Sequence, residues 1–258
     1  DWLRKTHPET RGVISATRGN HGQSLAFAAQ RFGLEAVVVV PFGNSREKNE
    51  AMRGLGAEVV EYGEDFHEAD HHADTLARDR GLHRVSSFNR LLVSGAGTWA
   101  LELFTAVSEL DVVYVPIGLG SGACGVAGAR NALGLRTQIV GVVSAAAPCY
   151  ARSFGAGRVI ECRAQTRIAD GMAISRPREE ALDLLRRHLT RIVEVDDAGV
   201  EEAMRACFSA THNVVEGAGA AALAAVFLEG AVLAGRRVGV VFTGANVDRE
   251  VFSRILRA

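Results

Sequence analysis

The run Ser15-Ala16-Thr17-Arg18-Gly19-Asn20-His21-Gly22-Gln23 turns a short apolar strand, Gly12-Val13-Ile14, directly into a helix through small and polar residues. Glycines let a backbone approach a bound group closely, and the first N–H groups of a helix have no intrahelical acceptor. Such a turn favours an anion, for instance a carboxylate. A capped core helix explains part of the pattern, with Asn20 or Thr17 as N-cap, Leu25, Ala28, Ala29 and Phe32 as the buried stripe and Gly33 as the stop. It gives no reason for Arg18, Asn20, His21 and Gln23 to surround two glycines, whereas a ligand loop does.

A second turn of chemical interest is Val115-Pro116-Ile117-Gly118-Leu119-Gly120-Ser121-Gly122-Ala123-Cys124-Gly125, again strand, glycine-rich loop and helix start. Successive N–H groups, the Ser121 hydroxyl and the helix dipole can together surround a phosphate. No Lys-Ser/Thr pair follows, which excludes a Walker loop. The next strand ends Gly141-Val142-Val143-Ser144, without the acidic residue of a dinucleotide site. Leu119 and Ala123 flank Ser121 where a hydrolase elbow needs glycines. A ligand-free tight turn is the remaining alternative. Two further segments carry polar groups: Phe242-Thr243-Gly244-Ala245-Asn246 closes the last strand, and Val215-Glu216-Gly217-Ala218-Gly219 sets a carboxylate before a helix of small residues.

These turns require strands ahead of them and helices behind. Eight apolar runs alternate with helical patterns: 12–15, 36–41, 58–62, 83–86, 111–117, 138–144, 191–195 and 238–243. Several are nearly continuous Val/Ile, as strands buried on both faces must be, so the chain reads as an α/β protein with doubly wound parallel sheets. A helix over 45–55 has Asn44 as its cap, and 145–178 reads as a long loop with one short helix. A boundary near Leu110 divides the chain into domains 1–109 and 110–258. With 258 residues, 48% hydrophobic content and net charge −1, the chain can bury a large core and has no basic stripe for nucleic acid. No apolar run reaches about 18 residues, and the first residues lack the apolar core of a signal peptide, so no membrane partner and a cytoplasmic location are expected. Cys124, Cys149, Cys162 and Cys207 have no C-x-x-C spacing and read as small buried residues rather than a zinc site or disulfide framework. His67, His71 and His72 interleave with acidic residues on a solvated helix face, so no metal is assigned.

Taken in order, the four chemical segments and Ile168-Ala169-Asp170-Gly171-Met172-Ala173 resemble the serine/threonine dehydratase family of pyridoxal-phosphate enzymes, over nearly the whole chain. The resemblance implies the tryptophan synthase β-like fold (fold type II) with two doubly wound domains, pyridoxal 5′-phosphate as cofactor and a homo-oligomer. It places Asn20 against the cofactor's 3′ oxygen, and Thr17, Arg18, Gly19, Asn20 and His21 around the substrate carboxylate. Gly118, Leu119, Gly120, Ser121 and Gly122 align with the phosphate loop, where Leu119 and Ser121 replace family glycines. Glu216 falls among the cofactor-binding residues, and Thr243 stands where the family sets a hydroxyl against the pyridine nitrogen. That neutral partner does not hold the ring nitrogen protonated, which suits β-elimination over transamination.

The same resemblance implies loss of water from a small hydroxy-amino acid, L-threonine or L-serine, giving a 2-keto acid and ammonia. Its Schiff-base lysine belongs to a motif absent here. Of the 29 basic residues only Lys5 and Lys48 are lysines. Lys48 matches a family lysine on the outer part of the small-domain helix, so the catalytic lysine is expected upstream of Asp1 and this chain alone is expected to be inactive. With only a short stretch after the last strand, no C-terminal regulatory domain is expected. Arg18 replaces the serine that serves racemases, which disfavours racemisation, and a guanidinium there suits a second carboxylate. The alternatives are therefore a 3-hydroxyaspartate dehydratase and a catalytically dead pyridoxal-phosphate or amino-acid binding protein. Asp170 lies where some relatives bind a cation, but no carboxylate immediately precedes it.

Overall fold

Each of the eight runs contains a strand in the computed structural model, which describes residues 2–107 and 109–258. Asp1 and Ser108, inside the expected first domain, lie outside the described residues. The chain divides into two units, Asp1–Ser87 with Asn246–Phe252, and Phe88–Ala245 with Ser253–Ala258.

In the first unit α1 (Trp2–Thr6), β1 (Gly12–Ala16), α2 (Asn20–Arg31), β2 (Glu35–Val40), α3 (Arg46–Gly54), β3 (Glu58–Glu61), α4 (Phe66–Arg80) and β4 (His83–Arg84) follow one another. Their strands form a parallel sheet in the order β3-β2-β1-β4. The unbroken valine run of β2 serves both faces. Val38 and Val40 join Val13, Ala26, Ala29 and Met52 under α2 and α3, while Val37 and Val39 join Ile14, Ala16, Ala69, Ala73 and Ala77 under α4. Burying each such valine contributes about 1.5–3 kcal/mol.

The second unit contains α5 (Arg90–Ala106), β5 (Val112–Pro116), α6 (Ser121–Ala132), β6 (Gln138–Ser144), α7 (Cys149–Ala156), α8 (Glu179–His188), β7 (Arg191–Val195), α9 (Asp197–Thr211), α10 (Gly217–Leu228) and β8 (Val238–Val240). Its parallel sheet runs β7-β6-β5-β8. The last helix, α11 (Arg249–Arg257), begins in the first unit and ends in the second.

The division differs from the expected boundary near Leu110, because α5 packs on α6 at two glycines. A Cβ on Gly125 would stand 2.7 Å from the Gly97 nitrogen and 3.0 Å from the Val93 oxygen, so the two helix backbones touch. Four local expectations are also corrected. Gly19, not Asn20 or Thr17, is the N-cap of α2, and the helix buries Gly22, Ala26 and Ala29 while Ala28 and Phe32 are exposed. Ser45, not Asn44, caps α3, its hydroxyl accepting from the Lys48 N–H at 3.1 Å. Asn44 instead donates from Nδ2 to Asn49 Oδ1 at 2.7 Å. Cys149 and Cys162 form a disulfide with Cα atoms 5.6 Å apart, leaving Cys124 and Cys207 as buried thiols.

Candidate active site

Within the first unit the β1–α2 turn is fixed from three directions. The Thr17 N–H donates to Val39 O at 3.0 Å, and the Thr17 hydroxyl accepts from the Gly19 N–H at 3.0 Å. Gly19 has φ 155°, a conformation L side chains rarely adopt, and a Cβ there would stand 2.5 Å from Lys48 Cδ. Lys48 is therefore not on the outside of α3 as expected. It is 5% exposed, with its aliphatic stem laid over the turn. Gly22 serves packing: a Cβ on it would run into the Met52 sulfur and lie 2.7 Å from Thr17 Cγ2, so this glycine lets α2 settle onto its own core. Arg18 and Asn20 are both half-buried in the turn.

His21 faces inward. Its Nε2 lies 3.0 Å from Ser15 Oγ, Ser87 Oγ is 3.5 Å from the same oxygen, and the Ser87 hydroxyl donates to Ala16 O at 2.7 Å. Burial, and then the Arg84 guanidinium, lower the His21 pKa to about 4, so the imidazole is neutral at pH near 7. The segment 246–252 completes this side. Asn246 Nδ2 donates to Asn20 Oδ1 at 2.7 Å, Ser45 hydrogen-bonds Asp248, and the Arg249 N–H donates to Glu47 Oε1 at 3.0 Å.

In the second unit the glycine-rich run has the shape of an anion cradle. Gly120, with φ 101°, caps α6, and the N–H groups of Ser121, Gly122 and Ala123 find no acceptor among the described residues. A Cβ on Gly122 would meet nothing within 4 Å, so the side-chain side of that residue is uncrowded. Gly118 faces Gly171 O, 2.6 Å from a notional Cβ, and Gly171 in turn lies against Ala218 and the Glu216 carboxylate. Glu216 is 3% exposed, and its N–H donates to Gly244 O at 3.0 Å, one residue beyond Thr243. Thr243 itself is exposed. Leu119 is steadied by a residue the sequence did not single out: buried Tyr150 donates its hydroxyl to Leu119 O at 2.8 Å and accepts from the Arg178 N–H at 3.1 Å. Burial pushes the Tyr150 phenol well up, which keeps it a neutral donor. With the Leu119 carbonyl so engaged, the loop's N–H groups remain to face an anion.

The donor set, all N–H and hydroxyl, fits a phosphate monoester. Residues 2–244 match the family described as pyridoxal-phosphate dependent enzyme. The chain belongs to that family. Its members use pyridoxal phosphate and have the fold type II architecture, here with two parallel sheets of four strands each among the described residues. The biosynthetic L-threonine dehydratase of Salmonella typhimurium is 34% identical over 240 residues, which are 92% of this chain and 47% of that protein. The chain thus spans about half the length of that curated relative. A threonine deaminase from T.th. superposes with TM-score 0.86 at 34% identity, covering 93% of this chain and 79% of the other. Threonine deaminase isoform 2 of Solanum lycopersicum gives TM-score 0.89 at 28% identity, with 98% and 75% covered.

His67 and His71 lie on the exposed face of α4, and His72 stacks on Tyr62 with ring centroids 3.8 Å apart. Among the described residues no group of three or more His, Cys, Asp or Glu side chains is placed to hold a metal. Asp170 accepts from the Gly171 N–H at 2.9 Å. No described helix is long and apolar enough to cross a membrane.

Proposed function

We propose that this chain is part of a pyridoxal-phosphate-dependent ammonia-lyase that converts L-threonine or L-serine to a 2-keto acid and ammonia. The observation that carries the reading is the start of α6, where the N–H groups of Ser121, Gly122 and Ala123 have no acceptor among the described residues beside an uncrowded Gly122. The dehydratase names of its relatives support the reaction class. When bound, pyridoxal phosphate supplies an electron sink that lets the α-proton and then the β-hydroxyl leave.

In this reading Gly118, Leu119, Gly120, Ser121 and Gly122 hold the phosphate, and Thr243 offers a neutral hydroxyl to the pyridine nitrogen. Asn20 donates to the ring 3-oxygen, and Glu216 is among the cofactor-binding residues. Thr17, Arg18, Gly19, Asn20 and His21 bind the substrate carboxylate, with His21 acting as a neutral tether of the turn. Neither Lys5 nor Lys48 is the catalytic amine. A cytoplasmic homo-oligomer belongs to the same reading, and sedimentation of the purified chain tests the assembly.

Gly122→Asp tests the cradle. An acidic side chain in the first turn favours the helix, so the fold is preserved, while its charge opposes a phosphate. The expected result is at least about ten-fold weaker binding of pyridoxal phosphate with pyridoxal binding unchanged. Unchanged binding of both ligands would refute the cradle. The second reading, a 3-hydroxyaspartate dehydratase, is favoured by one observation: a guanidinium, Arg18, occupies the middle of the turn assigned to the substrate.

A further inference from the structure

Asn20 carries a primary amide, whose two ends have the same shape and opposite polarity. Rotating it by half a turn exchanges an acceptor, Oδ1, for a donor, Nδ2. A ring oxygen of a bound pyridoxal group is an acceptor, so only one of the two orientations serves it. A neighbour of fixed polarity can set it.

Asn246 does. Its Nδ2 donates to Asn20 Oδ1 at 2.7 Å, which commits that oxygen and turns the Asn20 Nδ2 end to the other side. The Asn246 side chain is held in place by its near neighbours in the chain: Asp248 hydrogen-bonds Ser45, the N-cap of α3, and the Arg249 N–H donates to Glu47 Oε1 at 3.0 Å. These contacts all lie in the first unit, together with Gly19, whose φ of 155° fixes the chain direction just before Asn20.

We propose that Asn246 is a positioning residue that sets the amide orientation of Asn20, so that Asn20 presents its N–H₂ to the ring 3-oxygen of pyridoxal phosphate. The inference rests on the cofactor reading above. Asn246→Asp reverses the polarity of the pair while keeping its size. A carboxylate only accepts, so Asn20 must turn its Nδ2 toward position 246 and aim its oxygen at the ring oxygen, two acceptors face to face.

The test is a fluorescence titration of the chain and its Asn246→Asp variant with pyridoxal 5′-phosphate and with 3-deoxypyridoxal 5′-phosphate, which lacks the ring hydroxyl. The expected result is roughly ten-fold or greater loss of affinity for the first ligand and less than about two-fold for the second. In an Asn20→Ala background the Asn246→Asp change should then have no further effect. Equal losses for the two ligands would make Asn246 merely structural and overturn the proposal. No loss for either would overturn it as well, since Asn20 would then be the donor of the pair. If the unaltered chain binds neither ligand, the cofactor reading itself fails, an outcome distinct from the other two.

Discussion

Two basic side chains brace the turn between β1 and α2: the Lys48 stem covers Gly19, and the His21 ring meets Ser15. For His21 the sign of the pH effect follows from its pKa, lowered from 6.5 to about 4 by burial and by Arg84. The unfolded chain takes up the proton below pH 6.5 while the folded chain resists it, so this histidine's stabilising contribution is intact above 6.5 and is lost as pH falls toward 4. Between about pH 7.5 and about pH 5 the loss is on the order of 2 kcal/mol. Urea denaturation at the two pH values checks it: His21→Gln should flatten that part of the dependence, and an unaltered slope would show that the imidazole is not buried neutral. Arg18 separates the two substrate readings. If it binds a distal carboxylate, Arg18→Ala in a protein that carries the catalytic lysine should weaken 3-hydroxyaspartate by about 2–5 kcal/mol and spare threonine. Equal losses would mark a structural arginine.

At the scale of elements, the core strands were legible because a strand buried on both faces must be apolar at every position, and β2 with its four valines is the plainest case, whereas β3, β4 and β7 are only partly buried. The helix faces were less legible. Of the expected stripe Leu25, Ala28, Ala29 and Phe32, Ala29 is buried and Leu25 packs on the core while Ala28 and Phe32 are exposed, because a helix that lies close on a sheet buries its smallest residues, here also Gly22 and Ala26. The same close packing hid the first boundary, since nothing in α5 announces that Gly97 will meet Gly125. This contact gives a paired prediction. Gly125→Ala forces a methyl against the backbone of Ala96 and Gly97, at 2.9 and 2.7 Å, and should cost about 1–3 kcal/mol in thermal or urea unfolding. Gly97→Ala meets its nearest atom at 3.4 Å and gains helix propensity, so it should fall within about 1 kcal/mol of neutral. The site's glycine-rich turns were visible as motifs, but Tyr150 and Asn246 were not assigned roles, because a hydrogen bond between residues 226 apart in sequence, as for Asn20 and Asn246, leaves no local pattern. The Cys149–Cys162 disulfide was missed for a related reason: its separation of 13 residues matches no spacing rule.

For the whole molecule, the shortage of amines gives a direct labelling test. Pyridoxal phosphate and borohydride, followed by peptide mapping, should leave Lys5 and Lys48 without stoichiometric pyridoxyl label. A full label on either, together with keto-acid release, would make that lysine the catalyst and overturn the present assignment. Lys48 is the more stringent case, since its stem already lies over the turn given to the substrate. The chain passes between its two units three times, at Ser87–Phe88, Ala245–Asn246 and Phe252–Ser253. Inheritance therefore cannot treat the smaller unit as a cassette. A recombination event that exchanged residues 1–87 alone would import a new Asn20, Ser45 and Glu47 but leave their partners Asn246, Asp248 and Arg249 behind, coded well over a hundred codons downstream. Chimeras of relatives joined at 87/88 should work only when the seven residues 246–252 travel with the donor.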